Sequence, residues 1–393
     1  MGTSAPRQAF YRTFFVSARR IRRILVIMHA RSLILASASL ASSALATPVV
    51  ITPDDTNLVV VGFYQSNGTP LMIEGNAPAV WLDVTEFVDS SSIFLLRHAA
   101  QIGSEIWLSD QIAGMIHRFS AQADGPRYLG MIDTLANPRG IGVINGEVWV
   151  ASGAIGAAGG VARFTTSGQP IGTFDAEDPF DAQAFGNFAL TANIIQNRLE
   201  LYQTDGTFLS AWGGASTLDF PLQVTQRTIG PVDEIIVAGN ALPAPGLYRY
   251  DVATSNFVGR ILTQKILPFV TVTQPRGVAM LANGELLWTS TQGVFAVDPV
   301  TNISRTLYTG DNFVCNMADT VDFSKYCEGD INNDGMVDDA DFSIFATAYN
   351  VLVCPVLGNG FPAGCPADLS GDDVVDDSDF SLFARSYDRL LCP

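Results

Sequence analysis

Glu105-Ile-Trp-Leu-Ser109, followed by Gly114-Met-Ile-His-Arg-Phe119, is the stretch on which the fold turns, because it recurs. Glu147-Val-Trp-Val-Ala151 leads to Gly160-Val-Ala-Arg-Phe164, and Glu234-Ile-Ile-Val-Ala238 leads to Gly246-Leu-Tyr-Arg-Tyr250. Glu285-Leu-Leu-Trp-Thr289 leads to Gly293-Val-Phe-Ala-Val297. Each copy is a short apolar run, a glycine-bearing turn and a second run, which is a strand hairpin rather than a helical period. Two copies share a lead-in, Asn137-Pro-Arg-Gly-Ile141 and Gln274-Pro-Arg-Gly-Val278. A further hairpin repeats as Phe63-Tyr-Gln-Ser-Asn-Gly-Thr69 and Leu201-Tyr-Gln-Thr-Asp-Gly-Thr207, with Asn-Gly or Asp-Gly at the turn.

A β-unit returning every 40 to 50 residues is the signature of a β-propeller. The roughly 265 residues of 47–312, at about 44 per blade, suggest six blades. A β-sandwich and a solenoid are the competing all-β readings. The hairpin at 63–73 reads as the outer half of a blade whose inner strands come from elsewhere, so that N- and C-terminal strands close the ring. Trp107, Trp149 and Trp288 are expected at one shared strand position, packing between blades. Over most of 57–312 the chain resembles NHL-type and related six-bladed propellers, with the two Pro-Arg-Gly lead-ins as the best-matching part.

The C-terminus carries a second repeat. Asp330 to Asn350 reads DINNDGMVDDADFSIFATAYN and Asp368 to Asp388 reads DLSGDDVVDDSDFSLFARSYD, identical at 11 of 21 positions. Side-chain oxygens fall at loop positions 1, 3, 5, 9 and 12: Asp330, Asn332, Asp334, Asp338 and Asp341, then Asp368, Ser370, Asp372, Asp376 and Asp379. That is the spacing with which a 12-residue loop wraps Ca2+, position 7 (Met336, Val374) supplying a backbone carbonyl. Two ions are expected. Position 8, Val337 and Val375, is expected to let the paired loops bridge each other. Position 12 is Asp rather than the usual bidentate Glu, and Asp373 stands at position 6, where the sharp turn favours Gly, so loop two is expected to be weaker. After each loop the pattern turns helical: Phe342, Phe345 and Tyr349, then Phe380, Phe383 and Tyr387.

Loop-then-helix, twice, resembles a type I dockerin, the secreted module that docks onto cohesin domains; the resemblance covers 328–393. It implies the calcium ligands just named, and a partner face at loop positions 10 and 11 and the following helix: Asp339 and Ala340, or Asp377 and Ser378. The Ser/Thr pair typical of cellulosomal dockerins is absent there, and an insert with Cys354 and Cys365 separates the repeats.

Residues 1–46 hold seven Arg and no acid, and Ser32 to Ala46 is an apolar run of small residues ending Ala44-Leu45-Ala46. This is a charged n-region, an h-region and an A-x-A site, so a signal peptide cleaved before Thr47 is predicted, with Met28 the better start. At about 15 residues the run is short for a stable membrane span. All five cysteines lie at 315–392, as expected of a disulfide-stapled secreted module. Cys354 with Cys365 is the natural local closure. Cys315 with Cys327 comes next, leaving Cys392 odd; the alternative joins Cys327 to Cys392. The organisation is thus a signal region at 1–46, a propeller at 47–312, a linker at 313–327 and a small α calcium-loop module at 328–393.

Without residues 1–46, 15 basic residues face 39 acidic ones, a net charge of about −24, and nothing neutralises phosphates, so nucleic acid is excluded as a partner. His98 and His117 are the mature histidines and neither sits in a metal or nucleophile motif; His117 reads as structural. Gly153 to Gly160 lacks the Lys and the helix of a phosphate loop and reads as a blade hairpin. Arg139 and Arg276 would bind an anion near the channel or pair with carboxylates such as Glu147 and Glu285. Two functions follow. One is a secreted, calcium-binding, non-enzymatic recognition protein, its propeller binding a protein or glycan and its module a cohesin-like or cell-surface partner. The other is an extracellular enzyme of polysaccharide degradation, which would need acidic groups, with or without calcium, converging at the propeller's mouth.

Overall fold

The computed structural model describes residues 46–392 apart from 54–57, 66–78, 89–94, 123–125, 155–156, 215–216, 230, 243, 262–263, 266–270, 273, 282–283, 291–292, 309–314, 355–363 and 388–391. The chain separates into two units, Met1–Ala44 and Leu45–Pro393. The signal region and Met28 lie outside the described residues, as does the Asn-Gly turn of the hairpin at 63–73.

Five antiparallel four-stranded sheets follow one another along the chain as blades of a β-propeller. Blade I is Leu96–Ile102, Glu105–Asp110, Met115–Ser120 and Tyr128–Asp133. Blade II is Pro138–Ile144, Glu147–Ala154, Ala157–Thr165 and Pro170–Asp175. Blade III is Pro179–Phe185, Phe188–Asn193, Arg198–Gln203 and Phe208–Gly213. Blade IV is Pro221–Ile229, Val232–Gly239, Gly246–Asp251 and Phe257–Ile261. Blade V is Pro275–Met280, Leu286–Ser290, Gly293–Asp298 and Ile303–Tyr308.

A sixth four-stranded sheet is assembled from both ends of the propeller: Cys315–Thr320 innermost, then Ala46–Pro53, Leu58–Gln65 and Ala79–Asp83. The innermost strands of the six sheets touch in cyclic order, with Cys315–Thr320 contacting those of blades V and I. The stretch 313–327, read as a linker, therefore contains the strand that closes the ring. Closure by a mixed sheet leaves no open edge at the seam.

Burial explains the strand pattern. The second strand of blade I, Glu105–Asp110, is buried along its whole length because a neighbouring blade covers each face. The outermost strand of blade II, Pro170–Asp175, is exposed almost throughout. Trp107, Trp149 and Trp288 are fully buried between blades, but not in one shared position. Trp107 and Trp149 stand two residues after their Glu and pack towards the following blade. Trp288 stands three residues after Glu285 and packs towards the preceding one. In a strand a one-residue offset reverses the face.

The Glu and Arg of the hairpin repeat are a cross-strand pair. Arg118 donates from Nε and Nη2 to the two oxygens of Glu105 at 2.7 and 2.5 Å. Arg163 does the same to Glu147 at 2.8 and 2.9 Å, and Arg249 to Glu234 at 3.0 and 2.5 Å. In blade V, where Ala296 replaces the Arg, Glu285 pairs with Arg305 of the outermost strand. Arg139 does not reach Glu147. It is buried against Asp178 at 2.9 Å with its guanidinium over Phe180, so the blade carboxylate it pairs with is Asp178.

The C-terminal module adds two 11-residue helices, α1 (Asp339–Tyr349) and α2 (Asp377–Tyr387), each following one acidic loop. Its core is small: Ile331, Val337, Phe345, Cys354, Ala367, Leu369, Val375 and Phe383. Disulfides join Cys327 to Cys392 and Cys354 to Cys365. The Cys315–Cys327 pairing is thus corrected, since Cys315 opens the ring-closing strand while Cys327 and Cys392 tie the module's ends together.

Candidate functional site

Loop one brings Asp330, Asp334 and Asp341 together, one carboxylate oxygen of each lying within 4.8 Å of the others. Loop two does the same with Asp368, Asp372 and Asp379. Oxygens 2.3–2.6 Å from a common Ca2+ span such separations, so both donor sets fit the ion. The loops are held in this wrap by their own amides. Asp330 accepts from the N–H of Asp334 and of Gly335, both at 3.0 Å. Asp368 accepts from Gly371 at 2.7 Å and from Asp373 at 2.9 Å. Position 6 is left-handed in both loops, at φ 88° for Gly335 and 70° for Asp373, so loop two carries a conformation that a non-glycine residue adopts at a cost.

The remaining expected ligands are placed less directly. Asn332 is tied to Asp334, donating from Nδ2 at 3.0 Å, and Ser370 donates to Asp368 at 3.3 Å. Met336 and Val374 donate their N–H to Asp334 and Asp372. Asp338 lies outside the triad of loop one and caps α1, accepting from Ala340 N at 2.8 Å; Asp376 accepts from Ser378 N at 2.7 Å. Position 9 commonly reaches Ca2+ through a water. Asp341 accepts from the amides of Ile331, Asn332 and Asp338, so most of its lone pairs are engaged and it suits single-oxygen coordination.

Burial pushes the Asp330 carboxyl up to about 7, with Asp341 and Asp334 adding repulsion. Burial raises Asp341 and Asp368 as well. Crowded carboxylates that prefer protons to emptiness form a donor set that a divalent cation would relieve.

Reciprocal contacts hold the two halves together. Tyr349 donates to Asp377 at 2.5 Å and Tyr387 donates to Asp339 at 2.6 Å, so both position-10 carboxylates are engaged within the module. Phe345 and Phe383 stack at 5.2 Å. Val337 and Val375 are buried in the shared core but do not bridge the loops as expected. Loop two pairs with the segment after α1, through Val375 N to Leu352 O and Cys354 N to Asp373 O, while Cys392 N after α2 reaches Gly335 O of loop one. Each loop's backbone is thus closed by the tail of the opposite helix.

A second polar group lies on the propeller axis. At the third residue of the innermost strands of blades I, III and IV a side chain reaches the next blade. His98 Nδ1 accepts from Ile141 N at 3.0 Å, Asp181 Oδ2 from Val224 N at 2.8 Å, and Gln223 Oε1 from Val278 N at 2.9 Å. Gly140 occupies this place in blade II because a Cβ there would lie 2.6 Å from the Asp181 Cα. Sequence reading missed this belt; Pro179 and Pro221, at the same offset as Pro138 and Pro275, were the available signal.

His98 Nε2 lies 3.8 Å from Asp319 Oδ2, and Asp181 and Asp319 repel each other across the channel. The group converging on the axis is therefore one histidine with two aspartates, not carboxylates alone. Burial holds His98 near 3, hence neutral. Its Nδ1 accepts an amide proton, which assigns the hydrogen to the buried Nε2, on the side of Asp319. His117 is buried with Nε2 3.7 Å from Asp110. A cavity of about 280 Å³ opens at the axis, lined by Gln101, Ile102, Val143, Gln183, Asp319 and Lys325.

No family model and no curated protein matches this chain. Among solved structures the propeller is similar to a chain of a nidogen/laminin complex, at 13% identity and a TM-score of 0.52, covering 70% of this chain and 98% of the other. A protein of unknown function from Bacteroides caccae aligns at 11% identity and a TM-score of 0.48, covering 70% of this chain and 99% of that one. The first likeness shows an all-β propeller fold. No helix among the described residues is long and apolar enough to cross a membrane, and the two disulfides are compatible with an extracellular protein.

Proposed function

We propose that this chain is a secreted, calcium-binding, non-enzymatic recognition protein. Its propeller binds a protein or glycan, and its C-terminal module is dockerin-like and takes two Ca2+ ions. The observation that carries the reading is the repeated carboxylate triad, Asp330/Asp334/Asp341 and Asp368/Asp372/Asp379, converging twice at the same loop positions. A protein-binding propeller is supported by the fold alone, the structurally similar nidogen/laminin chain having been solved in a protein complex. The test is calorimetric titration of the full chain with CaCl2, with far-UV circular dichroism before and after chelation. Two binding events with a gain of helix are expected; absence of binding heat sinks the calcium reading.

A further inference from the structure

The module is not suspended from the propeller; loop one is plugged into it. Asn333 sits at loop position 4, between the expected ligands Asn332 and Asp334, and is almost fully buried. Its Oδ1 accepts from Ser104 N at 2.9 Å and from Ser104 Oγ at 3.0 Å. Its Nδ2 donates to Ile102 O at 2.7 Å and to Thr166 O at 3.2 Å. One side chain thus satisfies a turn of blade I and a turn of blade II together. Gly103 makes the room, since a Cβ there would lie 2.5 Å from Asn333 Oδ1.

Neighbouring contacts point the same way. Gln101 and Asp322 exchange hydrogen bonds at 2.9 and 2.7 Å, joining blade I to the chain just after the ring-closing strand. Arg127 donates to the backbone carbonyl of Asp368, the first residue of loop two, and to Tyr326 Oη. The two repeats differ at position 4, where loop two has Gly371 in place of Asn333. The plug is therefore specific to loop one and is not a by-product of the repeat.

Asn333 holds a left-handed backbone, φ 58°, which the wrap of the loop imposes. Without a cation the three carboxylates of loop one repel, and an opened loop would withdraw the side chain set between two of its ligands. We propose that Ca2+ in loop one drives Asn333 into the seam between blades I and II, so that the ion staples the propeller beside its closing strand as well as ordering the module. This rests on the calcium reading above. It makes the module's first partner the propeller of the same chain.

The test uses the full chain, as wild type, Asn333→Ala and Ser104→Ala, in CaCl2 and in chelator. Calorimetry reads ion binding, and hydrogen exchange reads the segments 101–105 and 315–320. In wild type, calcium is expected to slow exchange at 101–105 at least tenfold. Asn333→Ala, which removes no expected ligand, should keep two binding events but lose that protection. By reciprocity its loop-one affinity should fall by the same factor, about tenfold. Ser104→Ala, the milder change, should lose part of both. Binding in wild type without added protection at 101–105, or full protection retained in both variants, overturns the staple and leaves the calcium reading intact. No binding in any form overturns the calcium reading itself.

Discussion

The propeller hides Trp107, Trp149 and Trp288 completely, and its inner faces are continuous walls of Ile, Val, Leu and Ala. The C-terminal module has two fully buried phenylalanines, Phe345 and Phe383, in a cluster of eight residues, and surrounds them with like-charged loops. The first region buries enough apolar surface to be held by packing. The second cannot, and uses covalent closure at Cys327–Cys392 and Cys354–Cys365, reciprocal Tyr–Asp hydrogen bonds and, on our reading, ions. The two should accordingly fail under different insults.

The largest effect is expected from Trp149→Ala, which empties the contact with Phe174 and blade III and should destabilise the ring by about 4 kcal/mol in urea unfolding. A loss below about 1 kcal/mol would show that inter-blade packing does not carry the ring. Replacing Cys327 and Cys392 together by Ser opens a 65-residue closure and should cost the module about 3 kcal/mol. The expected signature is loss of helical dichroism with the β signal kept, and collapse of both signals at once would abolish the distinction drawn between the regions.

A smaller, pH-dependent effect belongs to the axis. Burial, reinforced by Asp319, pushes Asp181 up to about 7. Because the folded value lies above the unfolded one, the stabilisation from its proton is complete below about 4 and lost as pH rises through about 7. Wild type should therefore gain on Asp181→Asn by about 3 kcal/mol between pH 7.5 and 4.5 in chelator. Comparing the two proteins cancels His98, which acts with the opposite sign as its neutral form is lost on the acid side. A pH-independent difference would show that the carboxyl is not shifted. Least of all, Arg163→Lys trades a two-pronged pair with Glu147 and a position over the Trp149 ring for a single ammonium, worth about 0.5 kcal/mol in a denaturation midpoint.

The hairpin repeat and the acidic repeat were legible because each property needed is local. Alternation, turn glycines and every-second-residue oxygens depend on neighbours in sequence. The offset of Trp288 was misread for the same reason: its composition matches the other copies, but strand parity, which a single residue changes, chooses the blade it faces. The axial belt was harder to read because His98, Asp181 and Gln223 come from blades I, III and IV and share only an offset from the strand start, which a proline marks in blades III and IV but not in blade I.

By itself, then, the sequence determined a repeating β architecture followed by two acidic loops with a helix after each, since these rest on periodicity and spacing within about twenty residues. Only the tertiary structure decided that Cys315–Thr320 closes the ring, that Cys327 takes Cys392, that Arg139 belongs to Asp178, and that Asn333 enters blade I from more than two hundred residues away. Such partners are chosen by which surfaces the closed ring brings within hydrogen-bond reach, and no local pattern encodes that.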